Sequence, residues 1–363
     1  MDCKPNIAIA GAGLIGRRHI ERVQQSSSCT LVGVTDPSPQ ARAFVRELET
    51  PYFETLEALL TETSPDGVIL ATPNALHVNQ ALICMEAGVA TLIEKPVAQS
   101  LEDGLRLARA ADETNVQFLV GHHRAYSPLM TEAQRLIREN YLGDIVAVTG
   151  CALFYKPDSY FEAAPWRTQL GGGPILINMI HEVHSLRMLC GEITQVQALS
   201  SHQRRGNDVE DTVAINLRFA NGALGTFILS DSAASAKSWE LTSQEDANYP
   251  NHPDVDCYHI AGTQGSLGVP TLNLKHYSSG EDRSWWKPFE TISVEVNRAD
   301  PLELQLEHFC AVIRGEAEPH VSLFDGLQNL RVTDAISSAA TTGGIVDVPS
   351  DILGTSLKRE SSL

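Results

Sequence analysis

The chain has 363 residues, 43% of them hydrophobic and 20% charged, with 27 basic against 45 acidic side chains for a formal charge of −18. This length exceeds that of the usual single core and predicts two domains, while the acidic balance argues against nucleic acid or an anionic membrane as a partner. No apolar run reaches bilayer-spanning length, the opening MDCKPNIAIAGAG does not read as a signal peptide, and the seven scattered cysteines lack any CxxC pair, so reduced thiols, a cytoplasmic location and no metal site are expected.

In chain order, Asn6–Ala10 (NIAIA) reads as a strand running into GAGLIG, which sets Gly11, Gly13 and Gly16 in G-x-G-x-x-G spacing at the start of a helix over Leu14–Gln25. The next strand, CTLVGVTD, ends at Asp36, twenty residues past Gly16, the separation at which an acid grips the adenosine ribose. Gly11 permits the tight turn, Gly13 lets backbone approach a pyrophosphate, and Gly16 allows close helix–strand packing. The helix N-terminus adds positive potential for phosphates. Strands DGVILAT, VATLIEKP and VQFLVGH then alternate with helices NALHVNQALICMEAG and LEDGLRLARAADETN, the pattern of a doubly wound parallel α/β sheet. Ligands are expected at the carboxyl ends of such strands. Two of those ends carry polar groups: Ala71-Thr72-Pro73-Asn74 with His77 a turn later, and Glu94-Lys95-Pro96. A lysine where a buried strand emerges is either a snorkelling surface residue or a functional group over a cofactor.

Beyond Gly121 the pattern changes. HHRAYSPLMTEAQRLIREN reads as a loop and helix, and long alternating segments follow (DIVAVTGCALFY, ITQVQALSSHQ, DTVAINLRF, GALGTFILSDS, DCYHIAGTQGSL, ETISVEV). They predict a large open, mostly antiparallel sheet in an α+β domain. Helices are expected at Pro174–Cys190, Pro301–Arg314 and Phe324–Ala340. The resulting division is 1–122, a dinucleotide-binding Rossmann domain; 123–345, a substrate-binding and oligomerisation domain; and 346–363, a polar tail whose final SSL only loosely resembles a peroxisomal address.

The stretch GGGPILINMIHEVH, 171–184, is the most unusual. At 3.6 residues per turn, Ile177, His181 and His184 fall within an arc of about 60°, with Asn178 beside them. An otherwise apolar helix would turn this patch to a cleft, and the triple glycine would allow close approach of a ligand and expose amide donors. Histidine titrates near neutral pH, so His181 suits acid–base work, and a lysine ammonium at position 95 suits the stabilisation of an oxyanion.

These motifs resemble the glucose–fructose oxidoreductase / inositol dehydrogenase / MocA family over essentially the whole chain. The resemblance rests on GAGLIG with Asp36, ATPNALH, EKP at 94–96, GHHRAYSP at 121–128, PWR at 165–167 and the glycine triplet with its helix histidine. It implies an NAD(H)-dependent oxidoreductase, an enzyme moving hydride between nicotinamide and a secondary hydroxyl or carbonyl of a sugar, inositol or related polyol. Lys95 and His181 would handle the oxyanion and the proton. The implied cofactor set is Gly11, Gly13, Leu14, Ile15, Gly16, Asp36, Thr72, Pro73, Asn74, His77, Glu94, Lys95, Trp166 and Arg167, with NAD favoured over NADP because Asp36 would repel a 2′-phosphate. Arg124, Tyr126, Asn178 and His184 join Lys95 and His181 as candidates for lining the substrate pocket, and a homodimer or homotetramer is expected. This chain departs from the family where sugar dehydrogenases often carry Asp four residues before and three after the histidine; here stand Ile177 and His184. Orientation of His181 is therefore left to Asn178, a backbone carbonyl or a substrate hydroxyl. Oxidoreduction of a non-sugar natural product, elimination with transient oxidation, and a non-catalytic NAD-binding regulator are the competing readings; the retained Lys95 and His181 disfavour the last.

Overall fold

The computed structural model describes residues 4–280 and 283–350. The expected tail beyond residue 350, with its SSL terminus, lies outside them, as does Cys3. Its contacts divide the chain into two compact units: residues 1–123 with 301–330, and residues 124–300 with 331–350.

In the first unit, β1 (Asn6–Ala10), α1 (Leu14–Gln25), β2 (Thr30–Thr35), α2 (Pro39–Glu47), β3 (Tyr52–Phe53), α3 (Leu56–Thr63), β4 (Gly67–Leu70), α4 (Asn74–Glu86), β5 (Ala90–Ile93), α5 (Leu101–Asp112) and β6 (Phe118–Val120) alternate. The strands pair in parallel in the order β3-β2-β1-β4-β5-β6. Strands β1 and β4 read as continuous apolar runs because helices cover both sheet faces; Ile7, Ile9, Val68 and Ile69 are wholly buried. The order reverses between β1 and β4, the crevice where dinucleotides bind in such sheets.

The unit differs from the domain expected at 1–122 in one respect. Helix α10 (Pro301–Ile313) returns to it, burying Leu306, Phe309 and Cys310 among Ile7, Ile69, Leu92 and Leu119. Burial of each large apolar side chain is worth about 1.5–3 kcal/mol. Gly67 makes the approach possible, since a Cβ there would sit 2.6 Å from Ile313 Cδ1.

The second unit contains α6 (Pro128–Arg138), β7 (Ile145–Leu153), α7 (Asp158–Glu162), a π-helical turn over Ile175–Met179, α8 (Ile180–Cys190), β8 (Ile193–Ser201), β9 (Thr212–Phe219), β10 (Leu224–Ser230), α9 (Trp239–Thr242), β11 (Tyr258–Gly262), β12 (Gly265–Val269), β13 (Asn273–His276) and β14 (Glu290–Ser293). Helix α11 (Leu323–Thr342) and β15 (Ile345–Asp347) follow α10. The nine-stranded sheet runs β14-β13-β12-β11-β7-β10-β9-β8-β15 and is antiparallel except where β7 and β10 pair in parallel. Strand β9 shows why one face is open: Val213, Ile215, Leu217 and Phe219 are buried, while Ala214, Asn216 and Arg218 between them are exposed. The segment DCYHIAGTQGSL is two strands rather than one. The chain reverses at Thr263-Gln264, where Gly262 is needed because a Cβ would lie 2.2 Å from Leu142 O. Strands β13 and β15 were not expected from the sequence; both are short, and β15 straddles the expected boundary between the domain ending at 345 and the tail.

Candidate functional site

The glycine loop leaves β1 at the switch point. Gly11 has φ +97° and donates to Thr35 O at 2.8 Å. A Cβ at Gly11 would lie 2.4 Å from Ala71 O, and one at Gly16 would lie 2.1 Å from Gly11 O. Gly13 is the contrary case: it is exposed, and a Cβ there would meet nothing within 4 Å. As N-cap of α1 it supplies no side-chain cap, and no acid occupies the first turn, so the helix presents amide donors over open space, which fits a pyrophosphate. Leu14, 80% exposed, and half-buried Ile15 complete the loop. Asp36 Oδ2 accepts from Ala12 N at 2.8 Å and Oδ1 from Ser38 N at 2.8 Å, which fixes the carboxylate beside the loop. The two nearby arginines are engaged elsewhere: Arg17 donates to Ala12 O at 3.1 Å and stacks 4.5 Å over Phe44, while Arg42 lies 3.6 Å from Glu54 and 5.4 Å over Tyr52. An acid without a free basic neighbour fits a ribose diol better than a 2′-phosphate.

Two of the residues expected at the cofactor, His77 and Glu94, make bracing contacts within the unit. His77 is 1% exposed, with Nδ1 2.8 Å from Pro96 O and Nε2 2.8 Å from Thr72 O. The neutral ring donates to one of these main-chain carbonyls and sets its other nitrogen against the second, tying the loop after β4 to the loop after β5. Burial pulls its pKa down, against the opposing pull of those carbonyls. Thr72 Oγ1 donates to Gln80 at 2.6 Å; Pro73 is exposed and Asn74 half-buried. Glu94 is 4% exposed, and its Oε1 pairs with His19 Nε2 at 2.8 Å while Oε2 accepts from Lys95 N at 3.1 Å. Burial pushes this carboxyl up, but His19, with the charges of His123 and Lys95, outweighs burial and leaves it below the ordinary range. Gly121 clears the space, since a Cβ would lie 2.8 Å from Glu94 Cδ. His19 sits on the helix that the glycine loop opens, so one buried pair joins the phosphate end of α1 to the backbone of Lys95, itself half-buried where β5 ends. The sequence reading missed His19, although its place three residues after Gly16, on the inward face of α1, was available.

The second unit holds the helix histidines. His181 is 8% and His184 5% exposed, and both lie within α8. The π turn over Ile175–Met179 lengthens the helical period and shifts the phase of Ile177 against the two histidines. Such turns are frequent at functional sites. Asn178, a candidate for orienting His181, accepts at Oδ1 from Lys156 Nζ at 2.7 Å. The close approach at Gly172 and Gly173 is not to a ligand. Cβ atoms there would fall 2.3 Å from Trp166 O and 2.4 Å from Glu210 Oε1, and Glu210 Oε1 takes the Ile175 amide at 2.8 Å. The glycines thus admit the chain's own backbone and a capping carboxylate that burial holds above its usual range.

Arg124, expected in the pocket, is a core residue at 4% exposure. Its Nη1 lies 2.6 Å from Glu182 Oε1 and its Nη2 2.5 Å from Glu240 Oε1; the hydroxyl of Tyr258 completes Glu182. Tyr126, in the turn beside it, is also buried. Trp166 is 54% exposed, whereas Arg167 lies 3.8 Å over the Tyr160 ring and donates to Tyr160 O at 2.6 Å. Glu182, Glu240, Lys156, Asp231 and Arg205, which dominate the electrostatics of this unit, carry no spacing signal that would have singled them out.

Among the described residues, no group of three or more His, Cys, Asp or Glu side chains could hold a metal ion, and no helix is long and apolar enough to cross a membrane.

Residues 5–122 match the family model described as an oxidoreductase family with an NAD-binding Rossmann fold, and residues 130–268 match the GFO/IDH/MocA C-terminal domain. The chain is 27% identical to a 1,5-anhydro-D-fructose reductase of Ensifer adhaerens, over 81% of this chain and 83% of the relative. It is 26% identical to the scyllo-inositol 2-dehydrogenase (NAD(+)) of Bacillus subtilis (strain 168), over 94% and 96%. The crystal structure of the WlbA dehydrogenase from Bordetella pertussis in complex with NADH and UDP-GlcNAcA superposes with a TM-score of 0.76 at 25% identity, covering 96% of this chain and 100% of that one. With both domain models matched in order along the sequence, the chain belongs to the GFO/IDH/MocA family and is an NAD-binding oxidoreductase.

Proposed function

We propose that this enzyme oxidises a secondary hydroxyl, or reduces the matching carbonyl, on a sugar, inositol or related polyol, with Lys95 and His181 as catalytic residues. The observation that carries the reading is the build of the EKP corner. Lys95 leaves the carboxyl end of β5, two strands from the glycine loop of β1, about 10 Å at ordinary strand spacing, and its amide is fixed by a buried carboxylate tied to α1. Names of relatives support the substrate class: a sugar-derived ketone for one and an inositol for another.

Bound NAD supplies the hydride acceptor. The chain's residues do the rest. Gly11, Gly13 and the first turn of α1 bind the pyrophosphate, and Asp36 accepts from the adenosine ribose hydroxyls. Lys95 holds the reacting oxygen and stabilises the charge that develops on it. His181 takes the hydroxyl proton in oxidation and returns it in reduction. Trp166 and Arg167 cover the cofactor, and His184 contributes to substrate contact.

The open sheet face of the second unit, with Val146, Leu199 and Leu224 more than half exposed, supports a closed homo-oligomer, and the free cysteines of the described residues support a cytoplasmic setting. A panel of polyols, sugars and sugar lactones, followed by absorbance of the reduced nicotinamide, tests the reading. NAD-dependent turnover of at least one supports it; none with any member, in either direction, overturns it.

A further inference from the structure

The loop between β8 and β9 is tied down along its length and reaches the helix that carries His181. Asp211 Oδ2 accepts from the amides of Arg204 and Arg205 at 2.9 and 3.0 Å, and the Asp211 amide donates to Ser201 O at 2.8 Å. Arg205 Nε donates to Asp231 Oδ1 at 2.8 Å, just past β10. Two contacts leave this loop. The Asp208 amide donates to Thr168 O at 3.2 Å, in the short turn Pro165–Thr168 that holds Trp166 and Arg167. Glu210 Oε1 accepts from Ile175 N at 2.8 Å, at the first residue of the π turn.

Glu210 thereby does what the helix cannot do alone. The opening amides of a helix find no acceptor within it, and Pro174, at the N-cap, adds no side-chain bond. A carboxylate there also meets the positive end of the helix. Gly173 records how closely it docks: a Cβ would lie 2.4 Å from Oε1 and 2.6 Å from Oε2, so the glycine keeps the place of the carboxylate open. Helical backbone runs without a break from Ile175 to Cys190, and His181 lies six residues past the capped amide. Whatever fixes Ile175 therefore fixes the rotation and depth at which this run carries the imidazole.

We infer that Glu210 is a positioning residue for the reaction: from the β8–β9 loop it caps the π turn and so sets where α8 holds His181. The inference rests on the reading of His181 as the proton-handling residue and deepens it. Glu210 touches neither substrate nor cofactor in this role. It acts through the Ile175 amide, and the Gly173 notch admits it at the distance the bond requires.

The test is NMR of the NADH-loaded enzyme labelled with ¹³C at histidine Cε1, with His181→Gln identifying the His181 signal. Glu210→Ala should move that signal. Glu210→Gln keeps an acceptor for the Ile175 amide and should leave it near the wild-type position. Gly173→Ala should move it too, because its methyl displaces the carboxylate, yet should add nothing in a Glu210→Ala background, where there is no carboxylate to meet. A signal unmoved in Glu210→Ala, or moved equally in Glu210→Gln, overturns the inference. If circular dichroism shows Glu210→Ala unfolded, Gly173→Ala decides. Kinetics with the best substrate of the panel above separate positioning from general stability. Glu210→Ala should lower kcat about 10- to 100-fold, the cost of a displacement near 1 Å at a reacting group, with KM and NADH affinity little changed. It should cost nothing further in a His181→Ala background; a full additional loss there overturns the inference. If no member of the panel reduces NAD while the His181 signal responds as expected, the oxidoreductase reading falls and the positioning of His181 by Glu210 stands.

Discussion

Replacing Arg124 with Met separates a structural role from a substrate contact. The guanidinium is 4% exposed and lies between Glu182 at 2.6 Å and Glu240 at 2.5 Å. Methionine fills much of the same volume but leaves both carboxylates without their cation. Breaking a buried pair from one side costs about 3–5 kcal/mol. For a unit of roughly 200 residues, about 2–4 °C per kcal/mol gives a fall in Tm of about 6–20 °C at neutral pH. The deficit should depend on pH with a definite sign. Burial already holds Glu182 above the ordinary carboxylate range, and loss of Arg124 raises it further. The folded variant then keeps a proton that the unfolded chain releases above about pH 4.3, so the variant gains on wild type as pH falls toward that value. Thermal denaturation by circular dichroism at neutral and mildly acidic pH measures both effects. A Tm within about 2 °C of wild type, coupled to a raised KM, would refute the reasoning and return Arg124 to the substrate pocket.

The glycine loop makes a paired prediction: Gly13→Val should stay folded, because the space there is open, yet lose NADH binding by calorimetry, whereas Gly16→Val should fail to fold, because its side chain would meet Gly11 O. The pKa of His77 is lowered from its ordinary value of 6.5, so its contribution to stability is present above that value and declines as pH falls below it. Wild-type Tm should therefore drop more steeply than that of His77→Gln between about pH 7 and 5. For the sheet face, Leu199→Arg should convert a dimer or tetramer to a 39.5 kDa monomer in light scattering; a wild type already monomeric at micromolar concentration would refute the assembly proposal.

What was legible in the sequence followed from periodicity and from backbone constraints. The parallel sheet could be read because strands buried on both faces are continuous apolar runs, and the glycine loop because each glycine answers a distinct steric demand. Strand β9 could be read from strict alternation. The role of α10 could not, since an apolar helix does not announce which sheet it covers; only the notch at Gly67 records its position. The π turn was hidden because Ile175–Met179 has ordinary helix-forming residues. Site residues divided in the same way. Gly13 and Asp36 stand at the loop after β1 that their spacing predicts, whereas the bracing contacts of His77 and Glu94 could not be read. Such contacts rest on partners contributed from far along the chain, such as His19 for Glu94 and Glu240 for Arg124, which no local pattern specifies.

The central claim is that Lys95 and His181 act together at one substrate oxygen. A double-mutant cycle in NAD-dependent turnover tests it most directly. Each of Lys95→Ala and His181→Ala should lower kcat by about 10²–10⁴ while NADH affinity survives, because the phosphates and adenosine are held by the loop and Asp36. The double variant should lose far less than the product of the two. Full activity in His181→Ala across the pH range, or losses that multiply, would contradict the account and make His184 the next residue to replace.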